Sequence, residues 1–315
     1  MKKAIRLLAA VMVATMMLSC AVYADTAGTS TAAAVGTPAP VEKKKGLTAY
    51  EMLMKASEVL DYQDSYKISG NISGKQTLTA KVDPGYTEEY SQDIKSQITG
   101  AYQSPGQTHL VETVSLTDMD TTAEMYCSGS SIYTKDADGA WIKMPISLAA
   151  LNQTPGHGLL LGGSLASAAK ELLSCYQANA KFEKNQMDGD QNYYVISVAL
   201  DKDLYTDTIR QAVSALSLAD TAPGIDGQTA DSQEAQSVLD KVLANMELSA
   251  TVRYYVNTDT LLLAKQAVSF DITLPLSASE TGSMPITVVS NTKGVFQYTD
   301  IGAAVEMPNV LKNSK

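Results

Sequence analysis

The residues that could carry out chemistry are few and lie far apart in this chain. His109 and His157 are its only histidines. A zinc site needs three or four nitrogen or sulfur ligands at close spacing, which two distant histidines do not supply. Ser164 follows Gly162-Gly163 without the Gly-x-Ser-x-Gly pattern of a nucleophile elbow, so it is interpreted as a helix cap. These positions predict neither a metal site nor a catalytic serine.

Carboxylates near predicted turns are the remaining candidates for acid–base chemistry or ion binding. Four aspartates lie near such turns: Asp118, Asp120, Asp136 and Asp138. No apolar stretch surrounds them that would raise the pKa of one member of a pair, so they are interpreted as solvated. Asp136 to Gly139 resembles the start of a calcium loop, but Pro145 stands where a Glu ligand is required. Since the Walker and Rossmann glycine patterns are also absent, we expect a protein without cofactor or metal that is not an enzyme.

The N-terminus has the pattern of a secretory signal. Lys2, Lys3 and Arg6 make it positive, and an apolar run from Leu7 to Leu18 follows. This run is too short to span a bilayer as a helix. We therefore expect the chain to be exported and to work outside the cell or on the outer face of the cell membrane.

Two cleavage sites remain open at the end of this signal. In one, Met17 to Cys20 is a lipobox and Cys20 becomes a lipidated N-terminus. In the other, Val22 to Ala24 supplies the small residues for cleavage before Asp25, so that the signal is residues 1–24. Membrane attachment is expected only through the lipid anchor, if Cys20 is modified.

The composition limits the partners of the exported chain. Loss of the three basic signal residues changes the formal charge from −10 to −13. Such an acidic chain is not expected to bind nucleic acid or anionic lipid surfaces. Tyrosine outnumbers phenylalanine by 16 to 3, which favours half-buried sheet positions where the ring packs and the hydroxyl stays wet.

Cys127 and Cys175 remain in the chain whichever site is cleaved. The first lies in a predicted strand and the second in a predicted helix. An exported compartment permits a disulfide between them. The alternative is that both are small buried apolar residues. The sequence leaves the two open, because a bridge depends on the separation and direction of the Cβ atoms.

A change in composition divides the chain into a tether and one domain. Residues 25–46 are rich in Thr, Ala, Gly and Pro and carry three lysines, at positions 43–45, which predicts a flexible tether. Residues 47–310 form a single predicted domain. Thr48 and Glu51 have capping-box spacing and predict a short amphipathic helix that ends near Asp61.

Alternation of apolar and polar residues predicts two groups of strands, one from Tyr66 to Met144 and one from Leu248 to Tyr298. Turn signals such as Ser73-Gly74 separate the strands, as in antiparallel sheets with one wet face. A hairpin is predicted over residues 180–200, around Asp188-Gly189. Amphipathic helices are predicted over residues 164–178, 203–217 and 232–246. This order predicts an α+β fold whose helices are segregated from a meandering sheet.

Two stretches of the chain resemble a family of exported Gram-positive lipoproteins, which is similar to the LolA and LppX/LprG-like superfamily. They are Met125 to Pro145, around Ile132-Tyr133-Thr134-Lys135 and Gly139-Ala140-Trp141, and Tyr254 to Gln266. The resemblance covers roughly residues 46–310. It implies a half-barrel, in which a strongly curved antiparallel sheet holds helices in its concave side. It also implies an apolar cavity for acyl chains or lipoproteins, and no shared catalytic residues.

The first functional hypothesis is a carrier or chaperone that binds a lipid or other amphiphile in such a cavity. Removal of apolar ligand surface from water would drive the binding. The candidate lining residues are the only tryptophan and apolar positions of the predicted helices: Trp141, Leu165, Leu172, Leu204, Ile209, Val213, Leu216, Leu239 and Val242. The alternative is an envelope protein–protein interaction or sensing module with a filled core and no ligand. An exported hydrolase ranks third.

Overall fold

The computed structural model describes residues 42–83, 86–116, 119–128, 131–135, 138–147, 170–203, 206, 240, 243–278 and 284–310. Helix α1 is Ala49–Asp61 and helix α2 is Lys170–Asn179. Among the described residues, no helix combines the length and the apolar character that crossing a membrane requires.

The described residues form a 12-stranded antiparallel sheet. The strands before α2 are β1 (Ser65–Asp83), β2 (Tyr86–Gln103), β3 (Gln107–Leu116), β4 (Met119–Ser128), β5 (Ser131–Lys135) and β6 (Trp141–Ser147). The strands after it are β7 (Ala180–Phe182), β8 (Gln186–Asp188), β9 (Gln191–Ala199), β10 (Glu247–Asn257), β11 (Leu263–Leu276) and β12 (Ile286–Thr299).

Two meanders join into this sheet because the first and last strands pair. The order is β6-β5-β4-β3-β2-β1-β12-β11-β10-β9-β7, with β8 also on β9. Strands β1 and β12 pair from Lys67 opposite Thr299 to Ala80 opposite Ile286. The order has two different end strands in the described part of the chain, so the sheet is open. The prediction of a mainly antiparallel sheet built from two groups of strands is confirmed.

One predicted turn is wrong. Ser73-Gly74 lies inside β1, which continues to Asp83 and pairs Gly74 with Ile94 on one side and Thr292 on the other. A Cβ atom at Gly74 would lie 2.5 Å from the carbonyl oxygen of Asn291. Glycine is therefore needed at this position because the backbone of the neighbouring strand approaches it closely.

Helix α1 defines the two faces of the sheet. Thr48 caps it as predicted: the Thr48 hydroxyl accepts from the Glu51 N–H, and the Glu51 carboxylate accepts from the Thr48 N–H. The buried side of α1 packs in one core with Tyr66 and Ile68 of β1. Opposite residues of an antiparallel pair share a face. We call the face that carries Tyr66 and Ile68 the helix face, and the other the outer face.

The predicted tether ends earlier than residue 46. Lys44 forms a backbone bridge with Leu47. Its ammonium group donates to the Glu183 carbonyl at 3.2 Å and to the Asn185 side chain at 2.7 Å, and lies 4.7 Å from the centre of the Phe182 ring. Lys44 is thus fixed on the loop after β7. The remainder of the predicted tether and the signal lie outside the described residues.

Candidate functional site

The helix face of the central strands is apolar near α1. Ile98, Gly70 and Phe296 lie opposite one another on β2, β1 and β12. A Cβ atom at Gly70 would lie 2.5 Å from Cδ1 of Phe296, so the ring occupies the space that a side chain at Gly70 would need. Phe296 is 1% exposed. This end of the face is a closed core.

A polar band crosses the helix face farther along the same strands. Gln76 lies opposite Gln92 on β2 and Ser290 on β12. The Gln92 amide donates to Gln76 Oε1 at 2.8 Å, and Ser290 Oγ lies 3.4 Å from Thr292 Oγ1. Gln76 and Ser290 are both buried. Ser96, which is also buried on this face, donates to Glu112 at 2.6 Å. Buried amides and hydroxyls are costly unless they are hydrogen-bonded, so these hydrogen-bonded groups are specific features of a mainly apolar face.

A second apolar region lies beyond the polar band, at the end of the strands away from α1. Leu78, Val288 and Leu274 are opposite one another on β1, β12 and β11. Val288 and Leu274 are buried and Leu78 is half-buried. Tyr90, opposite Leu78 on β2, is 59% exposed. The helix face therefore alternates apolar, polar and apolar along the strands.

A pocket of about 360 Å³ lies at this end of the sheet, but mainly on the outer face. Thr79, Thr287 and Pro275 line it and are opposite one another. Lys81 also contributes to its wall. Leu276 and Pro285 line it as well, so its wall mixes apolar and polar side chains.

Tyrosines fill the core near α1 more deeply than the composition predicts. The Tyr66 ring stacks on Tyr102 at 4.9 Å. The Tyr176 hydroxyl of α2 forms a hydrogen bond with the Tyr254 hydroxyl of β10. Burial raises the pKa of Tyr66, Tyr176 and Tyr254. These phenols stay neutral, and the prediction of half-buried rings with wet hydroxyls is wrong for them.

Trp141 does not share the core with α1. The register places it opposite Lys135 on the outer face, and it packs in a separate cluster with Tyr126 and Tyr133. It is 3% exposed. Trp141 thus lies on the face opposite α1 in a packed cluster, and its role as a cavity-lining residue stays a prediction.

The other predicted lining residues are not placed by the structure. Seven of them lie outside the described residues: Leu165, Leu204, Ile209, Val213, Leu216, Leu239 and Val242. Leu172 belongs to α2, but its side chain is not described. Cys20 lies outside the described residues. The polar band was missed because glutamine and serine at alternating positions read as ordinary polar strand residues.

His109 forms a hydrogen bond with Glu124 on the outer face. Its Nε2 lies 2.8 Å from Glu124 Oε1, and Lys135 Nζ lies 2.6 Å from Glu124 Oε2. Burial alone would raise the pKa of the Glu124 carboxyl, but hydrogen bonds from Lys135 and His109 outweigh it and lower this pKa. Among the described residues no group of three His, Cys, Asp or Glu could hold a metal ion.

Both described cysteines are free thiols. Cys127 is buried on the helix face against Ile132, and burial raises its pKa to about 12. Cys175 Sγ of α2 lies 3.8 Å from the Ala199 carbonyl oxygen. The disulfide that export would permit is not formed in the structure, and Cys127 is instead a small buried residue.

This difference predicts selective labelling by a thiol reagent. Only the thiolate reacts, and a pKa near 12 leaves about one ten-thousandth of Cys127 ionised at pH 8. We expect half-buried Cys175 to react in the folded protein and Cys127 to react only after unfolding. Mass spectrometry of labelled peptides checks this, with Cys175→Ser as the variant that loses labelling in the folded state. If neither cysteine reacted after the protein was unfolded without a reductant, the two would instead be joined by a disulfide.

Comparisons with known proteins give structural neighbours but no sequence relatives. No family model and no curated protein matches the chain. LprF from Mycobacterium bovis aligns over 83% of this chain and 96% of its own, with 11% identity and a TM-score of 0.37. The Mycobacterium tuberculosis lipoprotein LppX aligns over 82% and 98%, with 11% identity and a TM-score of 0.38. A LolA superfamily protein from Nitrosomonas europaea aligns over 85% and 98%, with 11% identity and a TM-score of 0.25.

LppX and the LolA superfamily are also the names to which the sequence motifs led. The identities and TM-scores are low, so the function proposed below rests on the arrangement of the described residues.

Proposed function

We propose that this chain is an exported, non-enzymatic carrier that binds a lipid or another amphiphile on the helix face of its sheet. The observation that carries the proposal is the polar band around Gln76 and Ser290, set between two apolar regions of one face. A molecule with a polar group and an apolar chain matches that order of surfaces. Ligand sites are typically apolar with a few placed hydrogen-bonding groups.

The length of the helix face supports this proposal. The β1–β12 ladder from Lys67 to Ala80 spans about 45 Å at the rise of a strand. Helix α1 has 13 residues and spans about 20 Å. It packs against β7, β10 and β11. One such helix is shorter than the ladder, so we infer that other parts of the chain bury Leu274 and Val288 in the far apolar region.

The predicted helices would supply the other wall of the site. We propose that the sheet bends into a half-barrel and that the helices predicted over 164–178, 203–217 and 232–246 lie in its concave side. Their apolar residues would face the acyl chain: Leu165, Leu172, Leu204, Ile209, Val213, Leu216, Leu239 and Val242. Attachment to the membrane would follow from lipidation of Cys20, and a chain cleaved before Asp25 would be released.

The test is direct detection of a bound amphiphile. Native mass spectrometry of the purified exported chain should show a co-purifying lipid, and a fluorescent fatty-acid probe should bind and be displaced by that lipid. A lipid-free protein that also ignores the probe would overturn the proposal and favour the protein–protein interaction alternative.

A pair of variants separates the helix face from the outer face. Leu78 is half-buried on the helix face, and its neighbour Thr79 is half-buried on the outer face. We expect Leu78→Trp to fill the far apolar region and to weaken probe binding at least about tenfold, which corresponds to about 1.4 kcal/mol. Thr79→Trp should change it by less than about twofold. If both variants weakened probe binding equally and had the same melting temperature, the probe would not bind at the far apolar region of the helix face.

A further inference from the structure

Strand β2 extends beyond the strand that pairs with it on one side. It pairs with β1 along its whole length, as far as Tyr86 opposite Asp83. Strand β3 pairs with it only from Lys95 to Gln103. In the described part of the chain, therefore, no strand lies on the β3 side of residues 86–91. We call this stretch the β2 edge.

The β2 edge presents backbone groups that a further strand can bind. In an antiparallel ladder, the N–H and C=O groups of alternate residues point to opposite sides of the strand. Half of the residues of the β2 edge therefore direct these groups away from β1. All six of its residues are exposed, so a partner has access to this stretch from either face of the sheet.

The two end strands of the sheet are less suited to a further strand. Strand β7 has only three residues. Strand β6 contains Pro145, and proline has no backbone N–H to donate to a neighbouring strand. The β2 edge is twice as long as β7 and contains no proline.

Exposed aromatic and apolar side chains gather at the β2 edge. Seven large apolar side chains are exposed among the described residues, and three of them, Val82, Tyr86 and Tyr90, lie at this end of the β1–β2 hairpin. Tyrosine is enriched in the surfaces through which proteins contact one another, and a group of exposed apolar side chains marks an interaction site. This concentration favours a protein partner.

Charge decides which kind of protein segment fits. Glu88 and Glu89 lie on the β2 edge, Asp93 follows it, and all three are exposed. None of the three forms an ion pair with a described residue. Like charges on paired strands oppose each other, so these carboxylates disfavour a second copy of the same edge. A basic segment has the complementary charge.

The register defines the side chains that such a segment would carry. Opposite residues of paired strands share a face. Glu89 and Asp93 lie on the outer face, opposite Thr79 and Lys75, whereas Tyr90 lies on the helix face. An added strand would therefore place two basic residues, four positions apart, opposite the two carboxylates. It would place an apolar residue opposite Tyr90.

We propose that the β2 edge binds an extended segment of another protein, which adds to the sheet as a further strand and carries two basic residues four positions apart with an apolar residue between them. Backbone hydrogen bonds would supply the affinity and the alternate side chains the specificity. The backbone groups of the edge lie in the plane of the sheet, so this inference does not depend on the binding of an amphiphile on the helix face.

The experiment uses the full chain and a fluorescent synthetic peptide, Lys-Thr-Thr-Val-Lys-Lys-Thr, together with its reversed sequence, because the added strand can be antiparallel or parallel. Fluorescence anisotropy should show saturable binding of at least one of the two peptides. Hydrogen exchange of the backbone amides should slow within residues 86–91. Methylation of the backbone nitrogens keeps the charge of the peptide but removes its hydrogen-bond donors, and should lower the affinity at least about tenfold.

A pair of charge variants separates recognition at the edge from attraction by net charge. Glu88→Lys/Glu89→Lys should weaken binding at least about tenfold. The control Asp190→Lys/Asp259→Lys makes the same change in net charge at exposed turns near the other end of the strands, and should change binding by less than about twofold. The proposal is overturned if neither peptide binds, if methylation leaves the affinity unchanged, or if both charge variants weaken binding equally.

Discussion

Gly100→Ala should destabilise the folded protein by about 3 kcal/mol, which is the upper part of the range for overpacking. Gly100 of β2 lies opposite Leu110 of β3. A Cβ atom at Gly100 would meet the backbone carbonyl of His109 and lie 2.5 Å from Cδ2 of Leu110. A backbone oxygen inside a ladder cannot move without loss of hydrogen bonds, so the clash displaces β3. Urea unfolding followed by circular dichroism measures the effect.

The matched control is Thr99→Ala on the same strand. Thr99 is exposed on the outer face, and exposed positions of this kind change stability by about 0.5 kcal/mol. If the free energies of unfolding of Gly100→Ala and Thr99→Ala differed by less than about 0.5 kcal/mol, β2 and β3 would not approach each other closely at Gly100. Such a result would mean that β3 is free to shift.

Local pattern was enough to predict the strands but not their continuity. The alternation of Tyr66, Ile68, Gly70 and Ile72 predicts the buried side of β1, and the structure buries those positions. Glycines within a strand made its continuity hard to predict, because Gly74 looks like a turn residue when its neighbours in space are unknown. Only the pairing of Gly74 with Thr292, more than 200 positions away, reveals that glycine is required for contact.

The candidate sites depended even more on long-range pairing. Trp141 was a candidate for lining a cavity, but the face on which it lies depends on the register with Lys135. The packing of Val310 was missed because alternation ends at Thr299 and because Val310 contacts residues of β4 to β6, which are distant in the sequence. The polar band was missed for the same reason: Gln76, Gln92 and Ser290 become one feature only when three strands are aligned.

Phe296→Ala should lower the free energy of unfolding by about 4 kcal/mol, as for other fully buried phenylalanines. Phe296 is 1% exposed in the core shared with α1. Its ring fills the space above Gly70 and lies 3.4 Å from the position of a Cβ atom at Gly294. Truncation leaves a cavity at the centre of the sheet, and neighbouring strands are held by their ladders, so the cavity cannot fully collapse. Urea unfolding gives this value directly.

A double-mutant cycle tests whether the Phe296 ring is the reason that position 70 must be glycine. Gly70→Ala alone should cost about 2 kcal/mol, because its methyl group overlaps the Phe296 ring. In the Phe296→Ala background the same methyl group enters the cavity, so its cost should fall to near zero and the coupling should be about 2 kcal/mol. Gly100→Ala is the control, because the atoms that its methyl group meets belong to His109 and Leu110. The loss of unfolding free energy caused by Gly100→Ala should add unchanged to that caused by Phe296→Ala.

If the effects of Gly70→Ala and Phe296→Ala on the free energy of unfolding were simply additive, the ring would not be the cause. The conformational preference of glycine would then explain why position 70 is glycine.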